Sequence, residues 1–227
     1  MTNIDRDLIS NKPSCYVFDI DGCLADVHEI LLTYEQTYDI KYNKFLEERD
    51  EYHKQFSEYE RQLKKYNKGE VDIKPKEPTF PVEPIRQDKE KLQKIDWEYF
   101  KDHLLEAIPI QGVLDLFTSI ASSHKVILLT GRSDRHRAQT VEWIKKVVIE
   151  KGGNDLFRRI NFQLIMREDK EMSLSGAKYK RAKILELSKQ YNIQLCIEDC
   201  PEIVKELTEL GLLVLTPNRE YYRVGQE

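Results

Sequence analysis

Residues 17 to 24 read Val-Phe-Asp-Ile-Asp-Gly-Cys-Leu, an apolar run that ends in two carboxylates and a glycine. Side chains alternate along a strand, so Asp19 and Asp21 would project to the same side, roughly 6 to 7 Å apart. Two like charges at that distance are costly unless a cation neutralises them or the two groups do different proton work. The stretch therefore predicts a strand that ends at a catalytic or metal-binding centre.

Two structural interpretations compete with this hypothesis. Asp21-Gly22 between apolar runs is also typical of a hairpin turn. A calcium-binding loop would need glycine at its sixth position and glutamate at its twelfth, where a count from Asp19 finds Leu24 and Ile30. The calcium loop is therefore excluded, and the hairpin turn stays open beside the catalytic centre.

Two further apolar runs end in groups that suit a phosphate ester and its metal. Lys125-Val-Ile-Leu-Leu-Thr-Gly-Arg132 ends in a hydroxyl, a glycine and a guanidinium, and Leu195-Cys-Ile-Glu-Asp199 ends in an acidic pair. Thr130, the backbone N–H groups after it and Arg132 can all donate to phosphoryl oxygens. Because open parallel α/β sheets bind ligands at the carboxyl ends of their strands, the three runs predict one site. Acid pairs at such a site suit Mg²⁺, which prefers oxygen ligands.

The order of these motifs resembles the haloacid dehalogenase (HAD) phosphatase superfamily: Asp-x-Asp-Gly, then Thr-Gly-Arg, then a lysine, then an acidic pair. The resemblance covers residues 14–26 and 95–216, and within it residues 130–215 are similar to the 3′-phosphatase domain of phage polynucleotide kinases and to related small phage phosphatases. The features that carry the closer similarity are Thr130-Gly-Arg, Arg137, Thr140, Trp143, Leu164-Ile-Met-Arg167, Tyr179-Lys180, Asp96-Trp-Glu-Tyr-Phe100 and Ile108-Pro-Ile110. The resemblance implies a Rossmann-like parallel sheet flanked by helices.

The same resemblance implies a role for each residue. Asp19 would attack phosphorus and form an aspartyl-phosphate, and Asp21 would protonate the leaving oxygen and then activate the hydrolytic water. Thr130 would hold a phosphoryl oxygen while Lys180 balances its charge. The implied metal set is Asp19, the backbone carbonyl of Asp21, Asp199 and, as a close or supporting neighbour, Glu198; the implied substrate-binding set is Gly131, Arg132 and Arg167.

The catalytic lysine is chosen among three on one predicted helix that runs to about Tyr191. Any one of Lys178, Lys180 and Lys183 is more typical of a solvated helix charge than of a catalytic group. The spacing Tyr179-Lys-x-x-x-Ile-x-x-Leu187 favours Lys180, because it places this lysine just before the apolar face of the helix begins.

About seventy residues separate Ala25 from Asp96, a much longer link than in the related small phage phosphatases. We expect a helix from about residue 27 to residue 67, on the order of 60 Å long with a break near Asp39 as an alternative. One face of this helix carries residues spaced by alternating threes and fours: Phe45, Tyr52, Phe56, Tyr59, Leu63 and Tyr66, with Arg49 in the gap. The usual reason for such a row is core packing.

Prolines then recur at every third position, at 75, 78, 81 and 84. Polyproline II has three residues per turn, so the prolines would line one edge of a segment, residues 74–85, roughly 37 Å long. We expect this segment to run back along the helix and to pack its proline edge on the aromatic row; a disordered linker that binds a proline-reading partner is the alternative. Leu92, Ile95 and Tyr99 would then begin a second helix.

These patterns predict a phosphatase core from residues 1–26 and 95–227, interrupted by a helical cap insertion at residues 27–94. An insertion after the first motif would act as a lid or as a contact between copies in a homo-oligomer. A lid favours small substrates, and the formal net charge of −4, with no evident basic stripe, points away from nucleic acid. We therefore favour a (deoxy)nucleoside 5′-monophosphate as substrate over the 3′ end of a nucleic acid, which the phage subfamily implies.

Composition narrows the remaining classes. The chain has no Gly-x-x-x-x-Gly-Lys-Ser/Thr loop, so a kinase half is absent, and its four cysteines have no zinc-site spacing. The polar N-terminus lacks a signal-peptide pattern, and no apolar run reaches the 18 or so residues that span a bilayer. We expect a cytoplasmic, phage-type enzyme with no membrane contact. A non-catalytic nucleotide-binding or assembly module is the alternative from a different class, and the complete set of Asp19, Asp21, Thr130, Lys180 and Asp199 argues against it.

Overall fold

The structure, a computed structural model, describes residues 11–86, 88–92 and 94–217. The N-terminal stretch on which the absence of a signal peptide was predicted, and the last ten residues of the predicted core, lie outside the described residues. The described residues form two compact units. One unit is Leu31–Phe100, and the other comprises the described residues before and after it.

The secondary structure alternates strands and helices outside Leu31–Phe100, as expected for an α/β protein. The described strands are β1 (Ser14–Phe18), β2 (Ala25–Asp26), β3 (Ile108–Pro109), β4 (Lys125–Ser133), β5 (Phe162–Arg167), β6 (Asn192–Ile197) and β7 (Val214–Leu215). The described α-helices are α1 (Tyr34–Asn67), α2 (Lys89–Leu92), α3 (Trp97–Asp102), α4 (Gln111–Ala121), α5 (Arg137–Arg159), α6 (Gly176–Leu187) and α7 (Pro201–Glu209).

Five of these strands form one parallel sheet in the order β5-β4-β1-β6-β7. The central strand β1 pairs with β4 on one side and β6 on the other, with Val17 opposite both Ile127 and Cys196. The two short strands β2 and β3 pair antiparallel beside it. The predicted parallel sheet flanked by helices is confirmed, and its three central strands are the three apolar runs identified in the sequence.

Both faces of the sheet are covered by helices, which explains why its strands read as continuous apolar runs. On one face Val17 and Ile127 belong to a buried cluster with Ile184 of α6 and Leu207 of α7. On the other face Phe18 meets Phe117 of α4, with ring centroids 5.8 Å apart. Val17 and Phe18, which are neighbours in β1, therefore pack on opposite faces of the sheet, each against a different set of helices.

The chain turns sharply where β1 ends. Gly22 has φ of +78°, a conformation that favours glycine, and the backbone N–H of Ala25 donates to the carbonyl of Ile20 at 2.8 Å. Asp21-Gly22 thus lies in a tight turn but not in the predicted hairpin, since β1 pairs parallel with β4 and β6 and β2 pairs with β3. The turn and the carboxylate pair coexist, since the turn keeps Asp21 just beyond the end of β1.

Helix α1 begins later than the sequence led us to expect. Thr33 and Gln36 form a capping box, in which the Thr33 hydroxyl accepts from the Gln36 backbone and the Gln36 side chain accepts from the Thr33 backbone. Residues 25 and 26 are instead in β2, and residues 28–30 form one turn of 3₁₀-helix. The predicted start near residue 27 and the break near Asp39 are both wrong, and α1 is continuous over 34 residues, about 51 Å.

The proline segment lies along α1. Phe80 packs edge-on against Tyr52, with ring centroids 4.9 Å apart, and also contacts Phe45. Arg86, further along the segment, stacks over Tyr38 near the start of the helix. The segment therefore runs antiparallel to α1, in agreement with the expected packing.

Burial along the segment follows the period of polyproline II. Pro75, Pro78, Pro81 and Pro84 are half-buried, and the residues between them are exposed. The single helix predicted after the segment is replaced by two short helices, α2 and α3. Asp96 separates them, because its carboxylate accepts from the backbone N–H groups of Glu98 and Tyr99 and so starts α3. Among the described residues no helix is both long and apolar enough to cross a membrane.

Candidate active site

A buried ion triad lies where β1 and β6 end. Asp19 follows β1, Glu198 follows β6, and Lys180 on α6 reaches both; these residues are 6%, 2% and 4% exposed, respectively. Lys180 Nζ donates to Glu198 Oε2 at 2.6 Å and lies 2.8 Å from Asp19 Oδ1. The second contact is an ion pair whose direction is poor for a hydrogen bond, so Asp19 Oδ1 is a buried acceptor with no aligned donor among the described residues.

Burial controls the ionisation of this triad. Burial raises the pKa of the Asp19 carboxyl to about 7, against the opposing attraction of Lys180. Burial likewise raises the pKa of Glu198. Burial alone would lower the pKa of Lys180, but the two carboxylates outweigh it and raise that pKa, so the lysine is a fixed positive charge. A permanent cation beside a buried carboxylate is a suitable place for a phosphoryl group.

Both oxygens of Glu198 accept hydrogen bonds. Its Oε2 accepts from Lys180, and its Oε1 accepts from the backbone N–H groups of Asp199 at 3.2 Å and Cys200 at 3.1 Å. These bonds agree with the expectation that Glu198 is a supporting neighbour of the metal ligands; its place in the metal set stays a prediction. Its carboxylate orients Lys180 and fixes the loop that carries Asp199.

Arg132, predicted to bind substrate, is hydrogen-bonded to Asp21. Its Nε and Nη2 donate to the Asp21 carboxylate at distances from 2.5 to 3.1 Å, and its Nη1 donates to the Thr140 hydroxyl of α5 at 3.3 Å. The arginine side chain is 2% exposed, whereas Asp21 is 26% exposed. Arg132 thus fixes the direction of Asp21 from the buried side while the carboxylate keeps a path to solvent.

Thr130 and Gly131 lie on β4, beside β1. Thr130 is fully buried, and its hydroxyl oxygen accepts from the backbone N–H of Arg132 at 3.2 Å. A Cβ built on Gly131 would meet no atom within 4 Å, so space is open next to this backbone. That space allows a ligand oxygen to approach the N–H groups at the end of β4.

The remaining predicted residues divide into two groups. Lys178 is exposed and Lys183 pairs with Glu171 at 2.9 Å, so of the three candidate lysines only Lys180 joins Asp19. The guanidinium of Arg167, at the end of β5, stacks over the ring of Tyr179 at 4.8 Å, and its Nε is buried with no partner among the described residues. The stacking fixes Arg167 by packing and leaves donors for a ligand.

Asp19, Cys23 and Asp199 offer ligand atoms that all lie within 4.8 Å of one another. The two carboxylates fit Mg²⁺, which takes a few protein oxygens and keeps several waters, and the unaligned Asp19 Oδ1 is an oxygen that a cation would satisfy. The thiol does not fit, because sulfur is a soft ligand. Burial also raises the pKa of Cys23, so the group is a neutral thiol. The donor set fits Mg²⁺ through its oxygens alone.

A family model agrees with this geometry. The model for the HAD superfamily, subfamily IIIB (acid phosphatase), matches residues 83–202, more than half of the chain. The chain belongs to this family. In this HAD phosphatase the site residues follow or end the neighbouring strands β1, β4 and β6, at the carboxyl edge of the sheet where parallel α/β proteins bind ligands.

Several solved structures are similar in fold to this HAD phosphatase. A chain of the Pnkp1/Rnl/Hen1 RNA repair complex matches with a TM-score of 0.50 and 16% identity over 96% of this chain. A haloacid dehalogenase-like hydrolase from Streptococcus pneumoniae matches at 0.44 and 12% over 90% of this chain and 84% of its own, and a magnesium complex of a HAD enzyme from Bacteroides thetaiotaomicron at 0.44 and 15% over 94% and 98%. The chain spans only 45% of the repair-complex chain. Identities this low establish the fold alone, and no curated protein matches.

Sequence reasoning assigned no role to one neighbour of the site, Thr140. Thr140 is one of the residues shared with the phage phosphatases, and in the structure its hydroxyl accepts a hydrogen bond from Arg132. Its position eight residues after Arg132, on the helix that follows β4, was the available signal. Cys23 directly follows the Asp19–Asp21 motif, so its closeness to the site was predictable from the sequence, and the fold adds that its sulfur approaches both Asp19 and Asp199.

Proposed function

We propose that this HAD phosphatase is a Mg²⁺-dependent phosphomonoesterase that removes phosphate from nucleotides through an aspartyl-phosphate on Asp19. The observation that carries the proposal is the Asp19–Lys180 contact of 2.8 Å in a buried setting, beside an Asp21 that is directed by Arg132. It supplies a nucleophile, a fixed cation and a second carboxyl group with its own access to solvent.

The two carboxyl groups divide the reaction. An oxygen of Asp19 forms a bond to phosphorus as the bond from phosphorus to the ester oxygen breaks, and Asp21 gives that oxygen its proton. Water then attacks phosphorus of the aspartyl-phosphate, Asp21 takes the proton from this water, and Asp19 leaves as a carboxylate. Thr130 and the N–H groups near Gly131 bind phosphoryl oxygens, and Lys180 offsets their charge.

We propose that Asp19, Asp199 and the backbone carbonyl of Asp21 hold the Mg²⁺, without Glu198. When bound, the cation neutralises the nucleophile and the phosphate so that the two anions can approach. Charge balance supports this assignment. The site gathers four carboxylates, those of Asp19, Asp21, Glu198 and Asp199, with the two cations Lys180 and Arg132. This excess of carboxylates over cations favours the binding of a cation at the site.

Within this class we favour a (deoxy)nucleoside 5′-monophosphate as substrate. The cations beyond the ends of β4 and β5 are already paired: Arg135 with Asp169, Arg137 with Asp134 and Lys170 with Glu168. A nucleic-acid backbone is bound mainly through cations that exchange small counterions for phosphates. Cations that are already paired with carboxylates are less able to bind the many phosphates of a polymer. This favours a substrate with a single phosphate.

A polynucleotide 3′-phosphatase is the second candidate, and a phage-type end-repair enzyme would be its biological form. It is favoured by the motifs shared with phage 3′-phosphatase domains, from Thr130-Gly-Arg to Tyr179-Lys180. The likeness to a chain of an RNA repair complex agrees with it at the level of the fold. Arg167, whose guanidinium is held at the end of β5 by stacking on Tyr179, would then contact a second phosphate or a terminal base.

The test measures phosphate release from ribo- and deoxynucleoside 5′- and 3′-monophosphates and from a 3′-phosphorylated oligonucleotide, with Mg²⁺ and then with chelator. Asp19→Asn is the inactive control, and its circular dichroism and thermal unfolding report whether it folds. We expect Asp19-dependent release from 5′-monophosphates. Preference for the oligonucleotide would replace this proposal with the end-repair candidate. Release from none of them by a folded protein would favour a different phosphate ester or a non-catalytic module.

A further inference from the structure

A thiol lies inside the candidate metal site. Asp19, Cys23 and Asp199 each offer one ligand atom, and these atoms all lie within 4.8 Å of one another. Cys23 is fully buried, Asp19 is 6% exposed and Asp199 is half-buried. Mg²⁺ is a hard cation and would use only the carboxylate oxygens of this set. The sulfur is therefore a third donor that the proposed reaction does not use.

The backbone holds the three donors in place without a metal. The N–H of Asp19 donates to the carbonyl of Ile197 at 2.9 Å, which extends the pairing of β1 with β6 by one residue. The N–H of Cys23 donates to the carbonyl of Ile20 at 3.2 Å, inside the tight turn that follows β1. The N–H of Asp199 donates to the carboxylate of the preceding residue at 3.2 Å. Each donor is thus carried by a backbone segment with a fixed position, as a selective binding site requires.

The spacing of the three donors is close to that of a tetrahedral zinc site. Zn–S bonds of about 2.3 Å and Zn–O bonds of about 2.1 Å put neighbouring ligand atoms about 3.4 to 3.6 Å apart. Side-chain rotations that move each atom by about 1 Å would bring donors within 4.8 Å of one another to that spacing. In addition, Oδ1 of Asp19 is a buried acceptor with no aligned donor among the described residues. A cation bound by Asp19 would satisfy this oxygen.

The chemistry of the donors decides which cations the full set prefers. Two carboxylate oxygens and one thiolate sulfur suit Zn²⁺, which commonly takes three protein ligands and keeps a water in the fourth position. Cd²⁺ is softer than Zn²⁺ and bonds to sulfur at least as readily. A hard cation gains nothing from the sulfur. The third donor therefore favours a thiophilic cation over Mg²⁺.

We propose that Asp19, Cys23 and Asp199 form a binding site for a thiophilic divalent cation, Zn²⁺ or Cd²⁺, which excludes Mg²⁺ from the same place. On binding, the bond from sulfur to the metal forms, the S–H bond breaks and the proton passes to water, with no transfer of electrons. Both kinds of cation need the carboxylates of Asp19 and Asp199, so only one cation binds at a time. Inhibition by Zn²⁺ rests on the proposed Mg²⁺-dependent reaction, whereas binding does not, and the two are measured separately.

The first test is a titration of the reduced, metal-free full chain with Cd²⁺ in the absence of substrate. A thiolate bound to Cd²⁺ absorbs in the ultraviolet by charge transfer, and carboxylate ligands do not. We expect a band that saturates at a single Cd²⁺ per chain, that added Mg²⁺ reduces and that Cys23→Ser abolishes. Cys200→Ser is the matched control and should keep the band, because Cys200 adjoins Asp199 but lies outside the donor set.

A second variant covers the case in which Cys23→Ser does not fold, which circular dichroism would report. Asp199→Asn retains the thiol and should weaken Cd²⁺ binding about tenfold or more, since loss of even a supporting contact costs about that much. A band of full strength in folded Cys23→Ser would place the thiolate ligand elsewhere. Absence of the band from folded wild type would show that the thiol binds no cation. Either result, or a band indifferent both to Mg²⁺ and to Asp199→Asn, would overturn the proposal.

Inhibition is measured as phosphate release at a fixed Mg²⁺ concentration with increasing Zn²⁺. Wild type should be inhibited, and excess Mg²⁺ should relieve the inhibition. Cys23→Ser should need about tenfold or more Zn²⁺ for the same fractional loss, relative to its own rate without Zn²⁺. Equal sensitivity of the two proteins would show that inhibition does not require the thiol and would contradict exclusion through this site. If wild type releases no phosphate with Mg²⁺ alone, the proposed phosphatase reaction fails, and the Cd²⁺ titration still decides whether the site binds a thiophilic cation.

Discussion

The role of Glu198 can be decided by one isosteric substitution, Glu198→Gln. The carboxylate uses one oxygen for Lys180 and the other for the backbone N–H groups of Asp199 and Cys200. All three partners are donors, and the amide of glutamine has only one acceptor oxygen. Its NH₂ must therefore face either the ammonium of Lys180 or the two N–H groups, whichever way the side chain is turned.

The expected loss follows from the 2.6 Å hydrogen bond to a buried ammonium. A hydrogen bond to a charged group contributes about 1.5 to 3 kcal/mol. If Lys180 needs that bond to keep its position beside Asp19, kcat falls about 10- to 150-fold. The free energy of unfolding should fall as well, by up to about 3 to 5 kcal/mol, because one partner of a buried ion pair has been removed.

The assay is kcat as a function of Mg²⁺ concentration, with urea unfolding on the same preparations. We expect kcat to fall while the half-saturating Mg²⁺ concentration changes less than about threefold, since both oxygens of Glu198 already accept hydrogen bonds from Lys180 and the backbone. Glu171→Gln is the matched control. Glu171 pairs with Lys183, which is on the same helix as Lys180 but outside the site. A near-normal kcat with a half-saturating Mg²⁺ concentration raised more than about tenfold would make Glu198 a metal ligand and refute this reasoning.

Three other substitutions test separate parts of the structure. Arg132→Lys should lower kcat about 10- to 100-fold with little change in KM, since a lysine cannot hold Asp21 through two parallel hydrogen bonds; an equal rise in KM would show that the arginine binds substrate. Cys23→Ser should keep Mg²⁺-dependent activity within about threefold, because sulfur is not a ligand for Mg²⁺; loss of activity in folded protein would contradict that assignment. Phe80→Ala should destabilise the proline segment by about 1 to 2 kcal/mol, as expected for a half-exposed aromatic ring. Protease cleavage within residues 68–88 measures this, with Glu83→Ala as the control, and equal cleavage of the two variants would show that the ring does not anchor the segment.

The parts of the site that the sequence predicted are those fixed by strand ends. An apolar run followed by polar residues predicts where a strand stops, and a parallel sheet brings such ends to one edge. Asp19, Thr130 and Glu198 were found in this way, because β1, β4 and β6 are neighbours in the sheet. Lys180 was selected from its helical spacing, since a residue just before the apolar face of α6 turns toward the sheet.

Partners within the site could not be predicted, because they depend on side-chain directions that the sequence does not determine. Arg132 and Asp21 are 111 positions apart, and no local pattern states that a guanidinium after β4 turns back to a carboxylate after β1. Glu198 presents the same difficulty. An acidic pair at a strand end predicts two candidate ligands, and only the backbone of the following loop shows that the first acid is occupied by N–H groups.

The helical insertion was predictable for a different reason, namely that neither of its two elements can be stable alone. Polyproline II has no internal hydrogen bonds, and a single helix with one apolar face is marginal in water. Phe45, Tyr52 and Phe56 recur with the period of a helix, and the prolines recur with the period of polyproline II. Each of the two segments therefore offers one apolar edge. Two edges of similar length in adjacent segments stabilise each other only by packing together, as Phe80 on Tyr52 does. Ile73, Val82 and Ile85 follow the same period of three, but they lie on the edge turned away from α1 and stay exposed. The sequence pattern alone did not predict that this second apolar edge would be uncovered.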